Sequence, residues 1–332
     1  MVSLSKADII KQKRLHKLAQ TLQLKKPWEF FESIGVFAVS LVGRNTPFYC
    51  IFLHDTIIVC PNNSALAGLM YLSEQESMPE IQRFRYQQHL ALYFERLEDI
   101  SEADYRLLLD FDVEPVDHKY PVFESVMPAI MPDQLVQREI QIMLDVLKQV
   151  SDSMDEIEAI IALNHDVNTQ IVHRYFDFDA KQWTFGLLDM IALDVSVPPF
   201  KLNESQIEAL QAQPKHELAL EIDIAYTPIM MEQKVGHRQG VIRVLVLANH
   251  HQKEVYYQKL VTLSDDGFVM LIDQLVEYIK THGIPKQLIV RDDITYSLLQ
   301  AFNQHFDIEI IKKAQMPTID HFVSEFILQS FH

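Results

Sequence analysis

The chain has 332 residues, 29 Lys+Arg against 46 Asp+Glu for a formal net charge of −17, and is 48% hydrophobic and 23% charged. That length exceeds one ordinary hydrophobic core, and the composition excludes a disordered chain, a collagen-like chain and a disulfide scaffold. With only 8 glycines, none in a GxGxxG, GxxxxGKS or GxSxG string, the usual phosphate cradles and nucleophile elbows are excluded too.

Residues 4–24 place Ile9, Leu15, Leu18 and Leu22 at helical spacing with cations between them, so they predict an amphipathic helix. Residues 1–26 hold seven basic side chains and a single acid, Asp8, leaving −23 on the remaining 306 residues. Such a helix fits its own acidic body better than a membrane, because it lacks a bulky aromatic anchor. No apolar h-region follows it and no stretch of ~20 apolar residues occurs, so neither a secretory signal nor a membrane span is expected. Residues 95–158, with 17 acids and five bases, read as a solvated face.

After Pro27 the pattern turns to strands: Val36–Val42, Phe48–Leu53 and Thr56–Cys60 are β-branched and aromatic runs between turn residues. Asn62-Asn63-Ser64 caps a helix over Ala65–Leu72, and His89–Glu95 reads as a strand. Ser101-Glu102-Ala103-Asp104 has the form of a capping box. The prolines recurring from Pro115 to Pro132 predict an ordered but irregular connection, with a helix over 133–150 behind it. Cys50 and Cys60 lie in apolar runs without metal-ligand spacing, so two buried free thiols and a cytoplasmic address are expected.

Trp28, Phe37-x-Val39, Tyr49-Cys50-Ile51, Leu90–Glu95, Ser101-Glu102, Pro121-x-Phe123 and Pro128 give residues 27–150 a pattern that resembles a family of bacterial two-domain proteins of unknown function. Where those relatives carry a glycine-containing segment after the second strand, this chain has His54-Asp55-Thr56. The resemblance implies a domain layout and no mechanism. The layout is a basic helix (1–26), an α+β domain (27–150), a connecting block (151–214) and a last domain (215–332). The block contains a short helix near 155–163, a hairpin of Gln170–Phe176 with Trp183–Leu193, and a helix capped by Asn203.

The last third reads as strands over Leu218–Tyr226, Val241–Ala248 and Val255–Leu263, then a helix Ser264–Lys280 ended by Gly283 with Pro285 beyond. A strand Gln287–Arg291, a helix Asp293–His305, a strand Ile308–Ile311 and a closing helix Thr318–Phe331 complete it. The order β-β-β-α-β-α-β-α resembles the ribonuclease H-like fold. That resemblance implies a mixed sheet with helices on both faces, the late strands parallel to the first.

In nucleases and integrases of that fold, carboxylates hold two divalent cations that activate water and stabilise the leaving oxygen. The similar positions here are Asp223, Asp292 and Asp320 as catalytic acids, with Asp223, Asp292 and Asp293 as ligands of Mg²⁺ or Mn²⁺, and Glu325 as an alternative to Asp320. Each has a plainer explanation. Asp292 or Asp293 stands where a helix N-cap belongs, Asp320 suits a first helical turn, and Glu325 fits a solvent face. Glu221 and Asp223, alternating opposite Leu220, Ile222 and Ile224, could be a solvated edge.

Electrostatics decides between the readings. Residues 215–332 carry 15 acids and 11 bases, which is no cationic groove for a nucleic acid. His237, His250 and His251 read as turn histidines, since neighbours on a strand end point to opposite faces. Tyr256, Tyr257, Phe302 and Phe306 fit core spacing better than a base-stacking platform. The expectation is a protein acting through binding, with another protein as the candidate partner, without cofactor or catalysis; the alternative is a divalent-metal nuclease or polynucleotidyl transferase.

Overall fold

The computed structural model describes residues 6–190, 194–235 and 238–330. They form an α/β protein of two compact units, each assembled from several stretches of chain. The first takes residues up to 69, 88–127 and 132–193; the second takes 70–87, 128–131 and everything from 194.

The first unit begins with α1 (Lys6–Lys25) and α2 (Trp28–Phe31), then the antiparallel strands β1 (Phe37–Val39), β2 (Phe48–Leu53) and β3 (Thr56–Cys60). Helix α3 (Asn63–Ser73) starts where the Ala65 amide donates to Asn62 Oδ1 at 2.9 Å, and crosses the boundary at residue 69. The chain re-enters this unit at β4 (His89–Arg96), followed by α4 (Glu102–Asp110), capped by Ser101. Then come β5 (Lys119–Met127), β6 (Ile130–Asp133), which crosses the boundary after residue 131, α5 (Gln137–Ser153), α6 (Ile157–Ile161), β7 (Gln170–Asp177) and β8 (Gln182–Asp189). The sheet runs β5-β4-β3-β2-β1-β7-β8 and is antiparallel except between β1 and β7.

Helix α1 lies on its own unit. Leu15, Ala19 and Leu22 are fully buried beside Phe31, Phe37 and Met143, while Lys25 pairs with Asp155 at 2.8 Å and donates to the Ser151 carbonyl. Lys13 and Lys25 thus find local acids, as the charge asymmetry predicts. The irregular connection expected from Pro115 to Pro132 is a correction: most of it is the strands β5 and β6. Pro121 sits inside β5 across from Phe94. A proline is tolerated in a strand where the amide it lacks would face away from the ladder, and proline spacing alone does not reveal that.

In the second unit, α7 (Glu204–Gln211) is capped by Asn203 and precedes β9 (Lys215–Val235), β10 (Arg238–Asn249) and β11 (Val255–Val261). Then follow α8 (Gly267–His282), β12 (Ile284–Val290), α9 (Asp293–Leu298), α10 (Gln300–Phe306), β13 (Glu309–Lys312) and α11 (Pro317–Ser330). The strand order is β11-β10-β9-β12-β13. The first three are antiparallel to one another, and β12 and β13 run parallel to β9.

Alternation along β9 decides what each face packs against. Leu220, Ile222 and Ile224 join Leu271, Leu275 and Ile279 of α8 and Phe302 of α10 in one core. Ala219 and Ala225 face Met316 and, from α11, Ile319 and Val323 in the other. The sheet is therefore sandwiched between helices.

Several boundaries differ from the sequence expectation. β9 continues nine residues past Tyr226, pairing on toward Arg238. Pro285 lies within β12. The helix expected over Asp293–His305 breaks at Leu299, a kink invisible to periodicity because Leu298, Leu299, Phe302 and Phe306 stay buried across it. Gly283 ends α8 at φ +96°, where an added Cβ would meet the Pro214 carbonyl at 2.5 Å.

Candidate functional site

Parallel strands β9 and β12 stay paired only as far as Glu221 opposite Ile289. Past that point the outer edge of β9 is met by side chains from a 3₁₀ turn, Glu80–Arg85, of the same unit. Gln82, 2% exposed, imitates a strand: its Nε2 donates to the Tyr226 carbonyl and its Oε1 accepts from the Tyr226 amide, both at 2.9 Å. Arg85 donates through Nη2 to the Ile224 carbonyl at 2.9 Å and to Asp223 Oδ1 at 3.0 Å, and through Nη1 to Asp292. This meets the rule that buried backbone groups find partners, with side chains replacing a missing strand.

A second guanidinium enters from the end of β12. Arg291, 1% exposed, donates from Nε to Asp223 Oδ2 at 2.6 Å, from Nη2 to Asp320 Oδ1 at 2.6 Å, and from Nη1 to the Ala314 carbonyl at 2.5 Å. The three acids singled out in the sequence, Asp223, Asp292 and Asp320, thus belong to one network whose centre is held by Arg85 and Arg291. Asp292 also accepts from the Thr295 amide at 2.8 Å, so it is the cap of α9 as well as an ion-pair partner. Asp320 accepts from the Met316 amide. Asp293 pairs instead with Lys312 at 2.6 Å, and Glu325 is exposed outside the network.

Burial alone would push the Asp223 carboxyl up. The two guanidiniums outweigh it and hold Asp223 below the ordinary carboxylate range. Burial likewise opposes the charge on Arg85, and the carboxylates of Asp223 and Asp292 overcome it. Among the described residues, no group of three or more His, Cys, Asp or Glu side chains is arranged to hold a metal ion.

The solvated-edge explanation of Glu221 and Asp223 is corrected: both are fully buried. Glu221 accepts from the amides of Thr318 at 3.0 Å and Ile319 at 2.9 Å, the free donors at the start of α11. Its other oxygen lies 2.6 Å from His250 Nδ1. His250 and His251 sit in the turn between β10 and β11, where Asn249 Oδ1 accepts from the amides of His251 and Gln252. His237 lies outside the described residues. Phe302 and Phe306 are buried, and Tyr256 and Tyr257 pack half-buried on the same core.

Cys50 and Cys60 are buried free thiols in the first unit; burial pushes the thiol of Cys60 up to about 12, so it is inert as a nucleophile. The same unit has a carboxylate-rich concavity, where Glu95 and Glu124 are raised by burial and by neighbours such as Asp104. Glu124→Gln is expected to stabilise this unit by about 0.5–1 kcal/mol at neutral pH, a figure reduced for solvent screening. A carboxyl whose folded pKa is raised gains stability as pH falls. The advantage of the variant should therefore shrink as pH drops through the Glu124 pKa towards 4, which parallel urea titrations would read.

Residues 13–174 match the family model described as Domain of unknown function (DUF7309), and residues 206–327 match Domain of unknown function (DUF6930). No curated protein matches the chain. Among the described residues no helix is long and apolar enough to cross a membrane.

Proposed function

We propose that this is a non-catalytic binding protein whose C-terminal unit keeps a ribonuclease H-like architecture with its acidic crevice closed by arginines. The strand order β11-β10-β9-β12-β13, with helices on both faces, supports the architectural part. In open sheets of this kind, ligands enter where neighbouring parallel strands diverge past their carboxyl ends. Here that position, beyond Glu221 and Ile289, is filled by Gln82 and Arg85.

The observation that carries the reading is the placement of Arg85 and Arg291 among Asp223, Asp292 and Asp320. Two cations a few ångströms apart between carboxylates is the charge pattern of a two-metal centre. Guanidiniums meet the same electrostatic need with fixed hydrogen bonds, but they bind no water for attack and offer no exchangeable position. The acidic chain is a poor host for a polyanion, which favours a protein or small-molecule partner over nucleic acid. The buried free thiols fit a reducing, cytoplasmic setting.

The alternative, a nuclease or polynucleotidyl transferase using Mg²⁺ or Mn²⁺ at Asp223, Asp292 and Asp293, draws on the convergence of two of those acids. Thermal melts with and without millimolar Mn²⁺ separate the two. We expect an unchanged midpoint and no cleavage of single- or double-stranded oligonucleotides. A midpoint raised by Mn²⁺, with the increment lost in Asp223→Asn, would overturn the binding reading.

A further inference from the structure

The first unit contains a cavity of about 240 Å³ between β2, β3, β4, β5 and α5, with a shallower one of about 490 Å³ beside it; Arg44, Arg138 and Ile142 line both. Cations ring the pair: Lys11 of α1, Arg44 of the β1–β2 loop and Arg138 of α5. Among the described residues none of the three is paired with a carboxylate, although the protein carries a net −17.

The two acids on these walls are already engaged. Glu139 accepts from Ser125 Oγ at 3.0 Å and from the Val136 amide at 2.9 Å, and Asp145 accepts from Gln141 at 3.0 and 3.1 Å. Arg44 is steered by the Phe48 ring, its guanidinium carbon 4.3 Å from the ring centroid, which leaves its five donors free.

The inner cavity has a different character. Phe48, Val59, Leu90, Val126 and Ile142 give it apolar walls, and among them sits His89, 6% exposed. Its Nδ1 is buried and has no hydrogen-bond partner. Burial pushes the imidazole down to about 4, so the ring is neutral and offers one donor and one acceptor.

We propose that this pocket binds a small organic monoanion, its compact apolar body in the inner cavity against His89 and its carboxylate or similar acid group held by Arg44 and Arg138 at the mouth. The cavity is just below the usual range for ligand sites, so the body is of bicyclic rather than larger size. The division of labour is the usual one for such pockets: apolar burial supplies affinity, and a few placed polar groups set orientation. This site lies wholly in the first unit and stands or falls independently of the reading of the C-terminal crevice.

The test is calorimetric titration of the full-length protein with 2-naphthoate, with neutral 2-naphthalenemethanol as its uncharged counterpart. A ligand of that size in a formed pocket should bind with Kd of about 1 mM or tighter. Arg138→Gln, an exposed position on α5, should weaken 2-naphthoate at least about tenfold and leave the alcohol unchanged. The His89 ring nitrogen resonances should shift on binding in the wild type. The proposal is overturned if no saturable binding appears up to about 5 mM, if acid and alcohol bind alike, or if Arg138→Gln and Arg44→Gln leave the acid's affinity intact.

Discussion

Arg291→Met is expected to destabilise the C-terminal unit by about 3–5 kcal/mol, the usual cost of removing one partner from a buried ion pair. Asp223 is fully buried, and Arg291 supplies one of its two guanidinium partners. Without Arg291, Asp223 keeps only Arg85, which it shares with Asp292, while Asp320 and the Ala314 carbonyl each lose a donor. Arg291→Lys should recover little, because one ammonium cannot reproduce three divergent N–H bonds. The informative partner is the double variant Arg291→Met with Asp223→Leu, which removes the orphaned charge as well. It should regain more than half of the loss, and a double-mutant cycle would report the coupling.

The pH dependence of that loss has a definite sign. Asp223 has a folded pKa below its unfolded value near 3.9, so its contribution is complete above about pH 4 and fades as pH falls through the folded value. The gap between wild type and Arg291→Met should be widest at neutral pH and narrow in acid. Denaturant midpoints across that range would check it. A gap that stays constant down to pH 3 would mean that the network is not what Arg291 supports.

The sequence makes half of this network readable and hides the rest for a physical reason. Asp223 stands out because an acid sits inside an apolar strand, and Asp292 and Asp320 because they begin helices. Their convergence follows from the β-β-β-α-β-α-β-α order. Arg291 carried a weaker signal, a cation closing the apolar run Gln287–Val290. Arg85 gave none: it lies 138 residues before Asp223 and reaches it through a 3₁₀ turn that local periodicity treats as loop.

A strand pattern says where side chains point and nothing about which distant segment covers an unpaired edge. That is why Glu221 and Asp223 read as a solvated edge although both are buried. The pocket around His89 was hidden for the same reason, since β2, β3, β4, β5 and α5 each contribute only one or a few residues to it.

Glu221→Met should cost about 2–4 kcal/mol, by a mechanism separate from the arginine network. The Glu221 carboxylate is the acceptor for the amides of Thr318 and Ile319, so a side chain from β9 caps α11 from outside its own sequence. A negative group at a helix N-terminus is favoured both by the unpaired amides and by the helix dipole. Methionine fills nearly the same volume and accepts nothing, which leaves two buried donors unsatisfied and His250 without its partner. Glu221→Gln keeps one oxygen for the amides and should cost less than half as much. Hydrogen exchange locates the effect: the Thr318 and Ile319 amides should lose protection in the Met variant while the α8 amides change only with global stability. If exchange at those two amides is unaltered, the capping role assigned to Glu221 is wrong, whatever the melting temperature does.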